Sequence, residues 1–450
     1  MKDYFSMLGA RNTKKFYIWF LLLANIVCIF GIWWTKSNYY IQNPDGGNIF
    51  IALGRITGLL GEFFLLVELV LVGRLRFIES VFGFDKLNKF HRWVGYSILS
   101  LLLSHPILLV VGYAKANGVP LMSQFADFLA NWENVLLAYI ALMLIIFIVI
   151  ISVVIVRKKL KYETWYFTHL FMYVAIGLAF SHQLETGDLS GGAWVLSYWY
   201  TINFGVFGLV LLYRFIRPIF LFARHRFYIE YIVQETDDTW SIYITGEKMD
   251  KFKFEAGQYA NITLLSHDMW YTHPFSFSSD FNGDSIRFSI KSLGDYTSQI
   301  PDIKVGTKVI IDGPYGLFIS KLSKREKYLF IAGGIGITPL RGMIESLSKK
   351  SEDICLLFAT KTQKDIIFKK EFDVFCEQNP KLKIHYITSE ETPGLESGRI
   401  DKDKIVRLVP DFYSREVFLC GPNPMMESVV KNLKEIGFSQ GNLHYEKFSF

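Results

Sequence analysis

The stretch HRWVGYSILSLLLSH, residues 91–105, places a histidine at each end of an apolar run that reads as a helix. Fourteen residues is nearly four helical turns, so His91 and His105 fall within about 40° of one another on the helix surface and about 20 Å apart along it. Ionisable side chains inside apolar spans are functional candidates by default. A second pair, His169 and His182, stands thirteen residues apart in another apolar run, and the other five of the nine histidines lie in the later half of the chain.

Outward from residues 91–105, six apolar runs long enough to cross a hydrocarbon core of roughly 30 Å recur at about 16–34, 49–73, 93–114, 133–156, 164–182 and 195–216, and then stop. Basic residues mark alternate connections. They cluster before the first run (Lys2, Arg11, Lys14, Lys15), after the second (Arg74, Arg76, Lys86, Lys89, Arg92), after the fourth (Arg157, Lys158, Lys159, Lys161) and after the sixth (Arg214, Arg217, Arg224, Arg226). The intervening connections offer only Lys36 and Lys115. By the positive-inside rule both termini are cytosolic and the chain is a multi-pass protein of the plasma membrane. No small-residue cleavage site follows the first run, which reads as a retained span.

Odd-numbered spans then run outward, so His91 and His169 sit near the inner face and His105 and His182 near the outer one. Two level pairs result, each able to place an imidazole on either side of a haem plane, as six-coordinate b-type ligation requires. An interhelical hydrogen bond is the alternative for any single histidine, and four at matching depths argue against it. The thirteen-residue interval turns a straight helix through roughly 220°, net of whole turns, so His169 and His182 need a kink, a π-bulge or different rotamers. In span two, Arg55 needs an anionic partner, either the propionates of an outer haem or Glu62 seven residues on, while Glu68 lies deeper.

Composition agrees with a membrane portion: 51% of the 450 residues are hydrophobic and 16% aromatic, and the formal charge of +6 does not imply nucleic acid. Cys28, Cys355, Cys376 and Cys420 form neither CxxC nor CxxCH, which leaves no iron–sulfur or covalent c-type haem motif. Any haem is therefore held by side-chain ligation alone.

After about residue 227 the pattern changes. Short β-rich segments such as Ser241–Thr245 and Ser285–Ile290, broken by Gly, Asp and Pro, suggest a small antiparallel barrel. Tyr271–Ser279 alternates as a strand that sets Ser276 and Ser278 on one face. From about 326, strand-like runs at Tyr328–Ala332, Ile354–Ala359, Lys383–Thr388 and Val417–Cys420 alternate with helical stretches, as in a doubly wound α/β domain. Gly333, Gly334 and Gly336 follow the first of these, with Thr338 placed to cap a helix and Pro339 to begin it, a phosphate-binding geometry.

His273-Pro274-Phe275-Ser276, followed by Ser278-Ser279, resembles the flavin-binding strand of the NADPH oxidase and ferric reductase family of transmembrane flavocytochromes b. Gly257-Gln258-Tyr259, Gly294 with Thr297, and Asp312-Gly313-Pro314-Tyr315-Gly316 come in the order of ferredoxin-reductase-like FAD barrels. The Gly-rich turn and Cys420-Gly421-Pro422-Asn423-Pro424-Met425 resemble that module's nicotinamide site, and the histidine spacings match the family's pattern. The resemblance implies a multi-domain protein: a six-helix transmembrane bundle binding two b-type haems (1–220), a β-barrel FAD domain (221–323) and an α/β NAD(P)H domain (324–450).

It further implies that Ser276 approaches the flavin N5, that Gln258, Tyr259, His273, Pro274, Phe275 and Thr297 help hold FAD, and that Gly333, Gly334, Gly336, Thr338, Pro339, Cys420, Gly421, Pro422 and Met425 hold the nicotinamide nucleotide. Phe450 is the aromatic that stacks on the flavin and yields to nicotinamide. His91, His105, His169 and His182 are the metal ligands, and Arg55 serves the outer site. The activity so implied is electron transfer from NADPH, with NADH also accepted, to an external acceptor. Dioxygen giving superoxide leads, and a ferric or cupric chelate is the alternative. Lys361 and Lys364 are candidates for a 2'-phosphate. No calcium-binding loop precedes the first span and no obligatory protein partner is evident. A haem-free membrane anchor or transporter fused to a flavin reductase is the reading from another class.

Overall fold

The computed structural model describes residues 2–155, 162–185, 187–190, 192–267 and 269–445. The basic cluster Arg157–Lys161 and the terminal Phe450 lie outside the described residues. The chain divides into two compact units: Thr13–Leu75 with Lys86–Arg214, and Met1–Asn12 with Arg76–Asp85 and Phe215–Phe450.

The first unit is helical. Along the chain run α1 (Lys2–Gln42), α2 (Asn48–Val72), α3 (Arg76–Phe82), α4 (Phe84–Asn117), α5 (Leu121–Asn131), α6 (Val135–Ile150), α7 (Tyr162–Glu185) and α8 (Ala193–Val210), of which α3, the start of α1 through Asn12 and the first two residues of α4 fall in the second unit. Among the described residues, five helical stretches are long and apolar enough to cross a membrane: Arg11–Gln42, Asp45–Val72, Phe84–Asn117, Val135–Val153 and Ala193–His225. The expected span at 164–182 is α7, a 24-residue helix that does not reach that apolarity. Thr164, Thr168, His169, Ser181, His182 and Gln183 are the cause, since each replaces an apolar side chain with a polar one. The short α3 and α5 carry no long periodic pattern and were not legible in the sequence.

α2 and α4 approach closely because glycines remove side chains from their contact. A Cβ at Gly54 would meet Leu109 Cδ2 at 2.7 Å, one at Gly61 would meet Leu102 Cδ2 at 2.8 Å, and one at Gly112 would meet Ile51 Cγ1 at 2.6 Å. α6 packs along α7 through Ala141, Ile145 and Ala175. π-helical segments occur at Ile151–Ile155 and Leu211–Ile216, whereas α7 is α-helical throughout.

The second unit opens with α9 (Arg217–His225), followed by β1 (Tyr228–Thr236), β2 (Thr239–Thr245), β3 (Tyr259–Leu264), β4 (His273–Ser276), β5 (Ile286–Lys291) and β6 (Val309–Tyr315). These form two antiparallel three-stranded sheets, β1-β2-β5 and β4-β3-β6. Single bridges at Tyr228–Lys308 and Phe277–Phe288 link their edges into the expected barrel around Phe227, Ile242, Phe277 and Phe288. The strand expected over 271–279 is only four residues long. Its pairing with β3 ends at Ser276, and Phe277 crosses to β5. Ser276 is consequently half-buried, while Ser278 is fully buried and bonded to Ser289 Oγ at 2.9 Å.

Beyond the barrel come β7 (Lys327–Gly333), α10 (Ile337–Ser348), β8 (Asp353–Thr360), α11 (Lys369–Gln378), β9 (Leu382–Thr388), β10 (Glu396–Ser397), α12 (Lys402–Leu408), β11 (Glu416–Cys420), α13 (Asn423–Glu435) and β12 (Leu443–Tyr445). All six strands are parallel in the order β10-β9-β8-β7-β11-β12. Buried on both faces, they are continuous apolar runs such as Leu329-Phe330-Ile331-Ala332. Strand order reverses between β7 and β11, which opens a crevice at their carboxyl ends.

Candidate functional site

Two histidine pairs form inside the helical unit. The rings of His91 (α4) and His169 (α7) have centroids 6.1 Å apart, and those of His105 (α4) and His182 (α7) 6.5 Å apart. Two imidazoles on opposite sides of one metal ion, each with a bond of about 2.0–2.1 Å, leave their ring centroids roughly 6 Å apart. The pairs form without a π-bulge in α7. His182 Nδ1 meets the carbonyl of Ala179, three residues earlier.

Every one of the four Nδ1 atoms has a partner. His91 Nδ1 meets Glu68 Oε2, His105 Nδ1 the Gly54 carbonyl at 2.7 Å, His169 Nδ1 the Ser152 hydroxyl at 3.4 Å, and His182 Nδ1 the Ala179 carbonyl. A ring that donates from Nδ1 carries its lone pair on Nε2, which is the tautomer a metal needs. Ser152 lies in the π-helical segment after α6 and also accepts from Trp165 Nε1 at 3.1 Å, while the Trp165 ring stacks on His169 at 5.4 Å. No group of three or more His, Cys, Asp or Glu residues able to hold a metal exists among the described residues. Two facing imidazoles in each pair are the side-chain donor set that would hold a b-type haem.

Gly58 sets the position of His105. A Cβ there would stand 2.5 Å from His105 Nδ1 and 2.6 Å from Cε1, so only glycine leaves room for the ring against α2. A cavity of about 210 Å³ adjoins His105 and His182, walled by apolar residues such as Leu102, Leu109, Phe128 and Leu142, with Arg55 and Glu62 among its lining. Arg55 does not pair with Glu62. Its guanidinium meets Asp188 Oδ1 at 3.4 Å, Tyr40 Oη at 3.3 Å and Tyr113 Oη at 3.4 Å. Asp188, buried in the connection after α7, also accepts from Ser37 Oγ at 3.0 Å. Sequence reading passed over Asp188 because its loop holds neither His nor Cys.

In the second unit β4 pairs residue by residue with β3, setting Ser276 opposite Tyr259, Phe275 opposite Ala260, Pro274 opposite Asn261 and His273 opposite Ile262. The His273 ring stacks on Tyr296 at 3.8 Å. Gln258 is held in its own turn, accepting from Glu255 N at 2.9 Å and donating to the Gly316 carbonyl at 3.3 Å. Thr297 Oγ1 accepts from the amides of Leu293 and Gly294 at 2.9 and 3.1 Å, which orders the turn after β5. Arg217 reaches the segment Asp312–Tyr315, bonding Asp312 Oδ1 at 2.8 Å, Tyr315 Oη at 3.1 Å and the Gly313 carbonyl at 2.5 Å. In the sequence this arginine is visible only as one charge in a basic cluster.

Tyr259 Oη donates to Glu79 Oε1 at 2.9 Å, and the Gly316 amide donates to the same oxygen at 3.1 Å. Phe84 packs edge-on against Tyr259. The connection around α3 is thus part of the barrel's structure. Burial is the largest influence on Glu79 and pushes its carboxyl up to about 7, against the two donors. Because the folded value lies above the unfolded one, this group's stabilisation is present at pH below about 4.5 and is lost as pH rises through about 7. Glu79→Gln is therefore expected to flatten the fall in thermal stability between pH 5 and 8.5. A melting curve of the same slope as the parent across that range, followed by flavin release, counts against this account.

The crevice between β7 and β11 gathers the glycines of the last motifs. A Cβ at Gly333 would meet Met425 Sδ at 2.2 Å and Pro422 Cδ at 3.0 Å, one at Gly336 the Cys420 carbonyl oxygen at 2.5 Å, and one at Gly421 Gly333 Cα at 3.1 Å. Gly334 has φ +52° and its Cβ position is open, which leaves backbone accessible to a ligand. The expected capping by Thr338 and helix start at Pro339 do not hold. The N-cap is Gly336, the first helical residue is Ile337, and Thr338 Oγ1 donates to the Ile335 carbonyl at 3.0 Å. The helix start still faces the crevice without a side-chain cap, as an anion site requires. Lys361 is exposed just after β8 and Lys364 lies in the following turn, also exposed.

Barrel and α/β domain are joined by buried charge. Arg287 bonds Glu371 Oε2 at 2.9 Å and Glu235 Oε1 at 2.6 Å, and Arg341 bonds Glu371 and the Ser278 carbonyl. His444 and Tyr445 fall in β12, which pairs with β11.

Three family models match in sequence order: "Ferric reductase like transmembrane component" over residues 57–180, "FAD-binding domain" over 228–318 and "Oxidoreductase NAD-binding domain" over 330–431. The chain thus joins a ferric-reductase-like transmembrane component to an FAD-binding domain and an oxidoreductase NAD-binding domain. The three together, in that order, are the NADPH oxidase and ferric reductase architecture, and this chain carries it.

Two curated relatives match half of the chain or less. The glycine betaine monooxygenase reductase subunit of Chromohalobacter salexigens is 27% identical over 240 residues, which is 50% of this chain and 64% of that protein. The NADH-cytochrome b5 reductase 1 of Dictyostelium discoideum is 27% identical over 176 residues, 38% of this chain and 62% of that protein. The chain thus spans less than two thirds of the length of these relatives. Among solved structures, the flavohem-like FAD/NAD-binding domain of nitric oxide dioxygenase from Vibrio cholerae aligns with a TM-score of 0.45 at 24% identity, over 49% of this chain and 97% of that one.

Proposed function

We propose that the chain carries electrons from cytosolic NAD(P)H, through FAD and two b-type haems, across the plasma membrane to dioxygen, releasing superoxide. The observation that carries this reading is the pair of facing histidines at each of two levels, with ring centroids 6.1 and 6.5 Å apart and every Nδ1 already engaged. Flavin and haem supply the chemistry when bound, accepting a hydride and passing single electrons.

The chain's residues supply placement. β4 and the turn at Thr297 offer a backbone and hydroxyl surface for FAD, with Ser276 at the end of the strand. The Gly333–Gly336 turn and the start of α10 offer amides to a pyrophosphate, and Cys420–Met425 closes the other side of the crevice. His91 with His169 takes the inner haem, and His105 with His182 the outer one. α7, which carries His169 and His182, is the sixth span of the bundle in this reading. Arg55, balanced by Asp188, offers a cation to an anion at the outer cavity.

The match to a ferric reductase like transmembrane component favours a second reading, in which a ferric chelate is the acceptor. A reduced-minus-oxidised spectrum of the purified protein, with cytochrome c reduction after NADPH addition, separates the two. Two b-type haems and a rate abolished by superoxide dismutase are expected. A rate with ferric chelate that persists without oxygen, and no superoxide, would overturn dioxygen as the acceptor. No reducible b-type band would leave the helical unit as a haem-free anchor or transporter.

A further inference from the structure

Helix α10 begins at the nucleotide crevice, and its middle rests on the barrel. Its first residue, Ile337, follows the Gly333–Gly336 turn, and Gly342 stands about 7.5 Å further along the axis. A Cβ at Gly342 would lie 2.9 Å from the Ser279 carbonyl oxygen, 3.1 Å from its carbon and 3.4 Å from the Ser279 amide nitrogen, so the helix meets bare backbone there. On both sides of that contact the helix is bonded to the same segment. Arg341 donates to the Ser278 carbonyl at 3.1 Å, Glu345 Oε2 accepts from the Asp280 amide at 3.0 Å, and Lys349 reaches Asp280 Oδ2 at 3.1 Å. Arg341 and Glu345 also pair with each other.

A second contact falls on the neighbouring strand's approach. Gly257 has φ +95° and no room for a Cβ, because Met343 Cε and the Phe318 carbonyl oxygen occupy that place. Gly257 leads through Gln258 into β3, where Tyr259 pairs with Ser276, and the Phe277 amide donates to the Gln258 carbonyl at 2.9 Å. α10 therefore touches the chain before Tyr259 and after Ser276, bracketing the end of the flavin strand. A close-packed contact made of backbone transmits displacement instead of absorbing it, so the position of the nucleotide turn follows that of Ser276.

Building on the flavin and nicotinamide reading given above, we infer that α10 is the spacer that sets how closely the nicotinamide ring approaches the flavin at Ser276, with Gly342, Arg341 and Glu345 as its positioning residues. The reaction moves one hydride, a proton with two electrons, from the reduced nicotinamide ring to the oxidised flavin ring, and these residues act on the separation of the two rings. A misplacement of ~1 Å costs such a transfer on the order of a hundredfold. A clasp that only held the two domains together would instead change thermal stability or FAD content and leave the rate per bound flavin alone.

Anaerobic mixing of the purified holoprotein with NADPH, followed at the flavin band and expressed per bound FAD, yields a limiting rate and a half-saturating concentration. Gly342→Ala displaces the helix from Ser279 by a few tenths of an ångström and is expected to lower the limiting rate about tenfold, with half-saturation moved by less than about threefold. Glu345→Ala should act alike, whereas Glu345→Gln keeps an oxygen for the Asp280 amide and should retain most of the parent rate. Lys350→Ala, exposed just beyond α10, is the control and should match the parent. Two readouts do not depend on turnover. The long-wavelength charge-transfer absorbance of NADP+ with the reduced flavin should weaken in Gly342→Ala, and amide exchange at Asp280, measured on the holoprotein before any nucleotide is added, should quicken in Glu345→Ala. A parent rate per bound flavin and a parent charge-transfer band in both Gly342→Ala and Glu345→Ala overturn the spacer alone. Loss of FAD from both variants marks a structural clasp and overturns it as well. A parent chain that holds no FAD, or whose flavin NADPH does not reduce, overturns the flavin and nicotinamide reading and the spacer with it.

Discussion

A His105→Leu chain is expected to lose electron transfer from NADPH to an external acceptor by a hundredfold or more, while reduction of a soluble acceptor by the flavin module continues. The expectation follows from the site's construction. His105 is half of the pair with centroids 6.5 Å apart, no third His, Cys, Asp or Glu stands by to replace it among the described residues, and leucine has no nitrogen to offer. His182→Leu should behave alike, and changes at His91 or His169 should remove the other couple. Counting haems per chain, together with the rate to cytochrome c and to ferricyanide, checks this. A His105→Leu protein with both haems and the full external rate would contradict the pairing.

Gly58→Val is expected to copy that loss without touching a ligand. The added Cβ would lie 2.5 Å from His105 Nδ1, well inside contact distance, and the two methyl groups extend the overlap. The ring cannot recede without giving up the bond to the Gly54 carbonyl at 2.7 Å, which fixes its tautomer. Overpacking of a tight helix contact costs about 1–3 kcal/mol, so the fold should survive where the haem site does not. The expected result is a folded, membrane-inserted chain with one haem and an external rate close to that of His105→Leu. Gly177→Val is the control: a Cβ there has open space in another helix and should leave both haems bound. Two haems in Gly58→Val would show that α2 yields more readily than its glycines suggest.

Much of this was legible because its signals are local. Two histidines at a fixed interval in one apolar run already share a helix, and a strand followed by Gly-Gly-x-Gly already encodes a turn that admits a phosphate. The strands at Tyr328, Ile354, Lys383 and Val417 were visible because parallel strands buried on both faces cannot hide their composition. What escaped depends on distance or on rotamer. Of the two anions the sequence offered Arg55, Glu62 was visible because it lies in the same helix, yet the carboxylate Arg55 meets is Asp188, 133 residues away in the chain. Glu68 carried no sequence sign of its bond to His91, since the contact needs α2 and α4 at a separation set by glycines. Thr338 looked like a cap because its type allows it, but its hydroxyl turns back to Ile335.

The ten residues of Arg76–Asp85 belong to the same compact unit as the barrel, and the bond between Glu79 and Tyr259 spans 180 positions of the chain. That fixes an order of events during synthesis. Glu79 leaves the ribosome long before the hydroxyl and amide that satisfy it exist, so the segment waits in water, ionised and solvated, until the barrel strands arrive. The barrel, for its part, cannot finish its surface from its own contiguous sequence. A fragment cut to begin at Phe215 would lack the carboxylate that receives Tyr259 and Gly316, and would expose the face that Phe84 covers. The barrel's unit is thus completed by a segment encoded between two helices of the membrane half, and a fragment meant to keep that unit whole must carry residues 76–85.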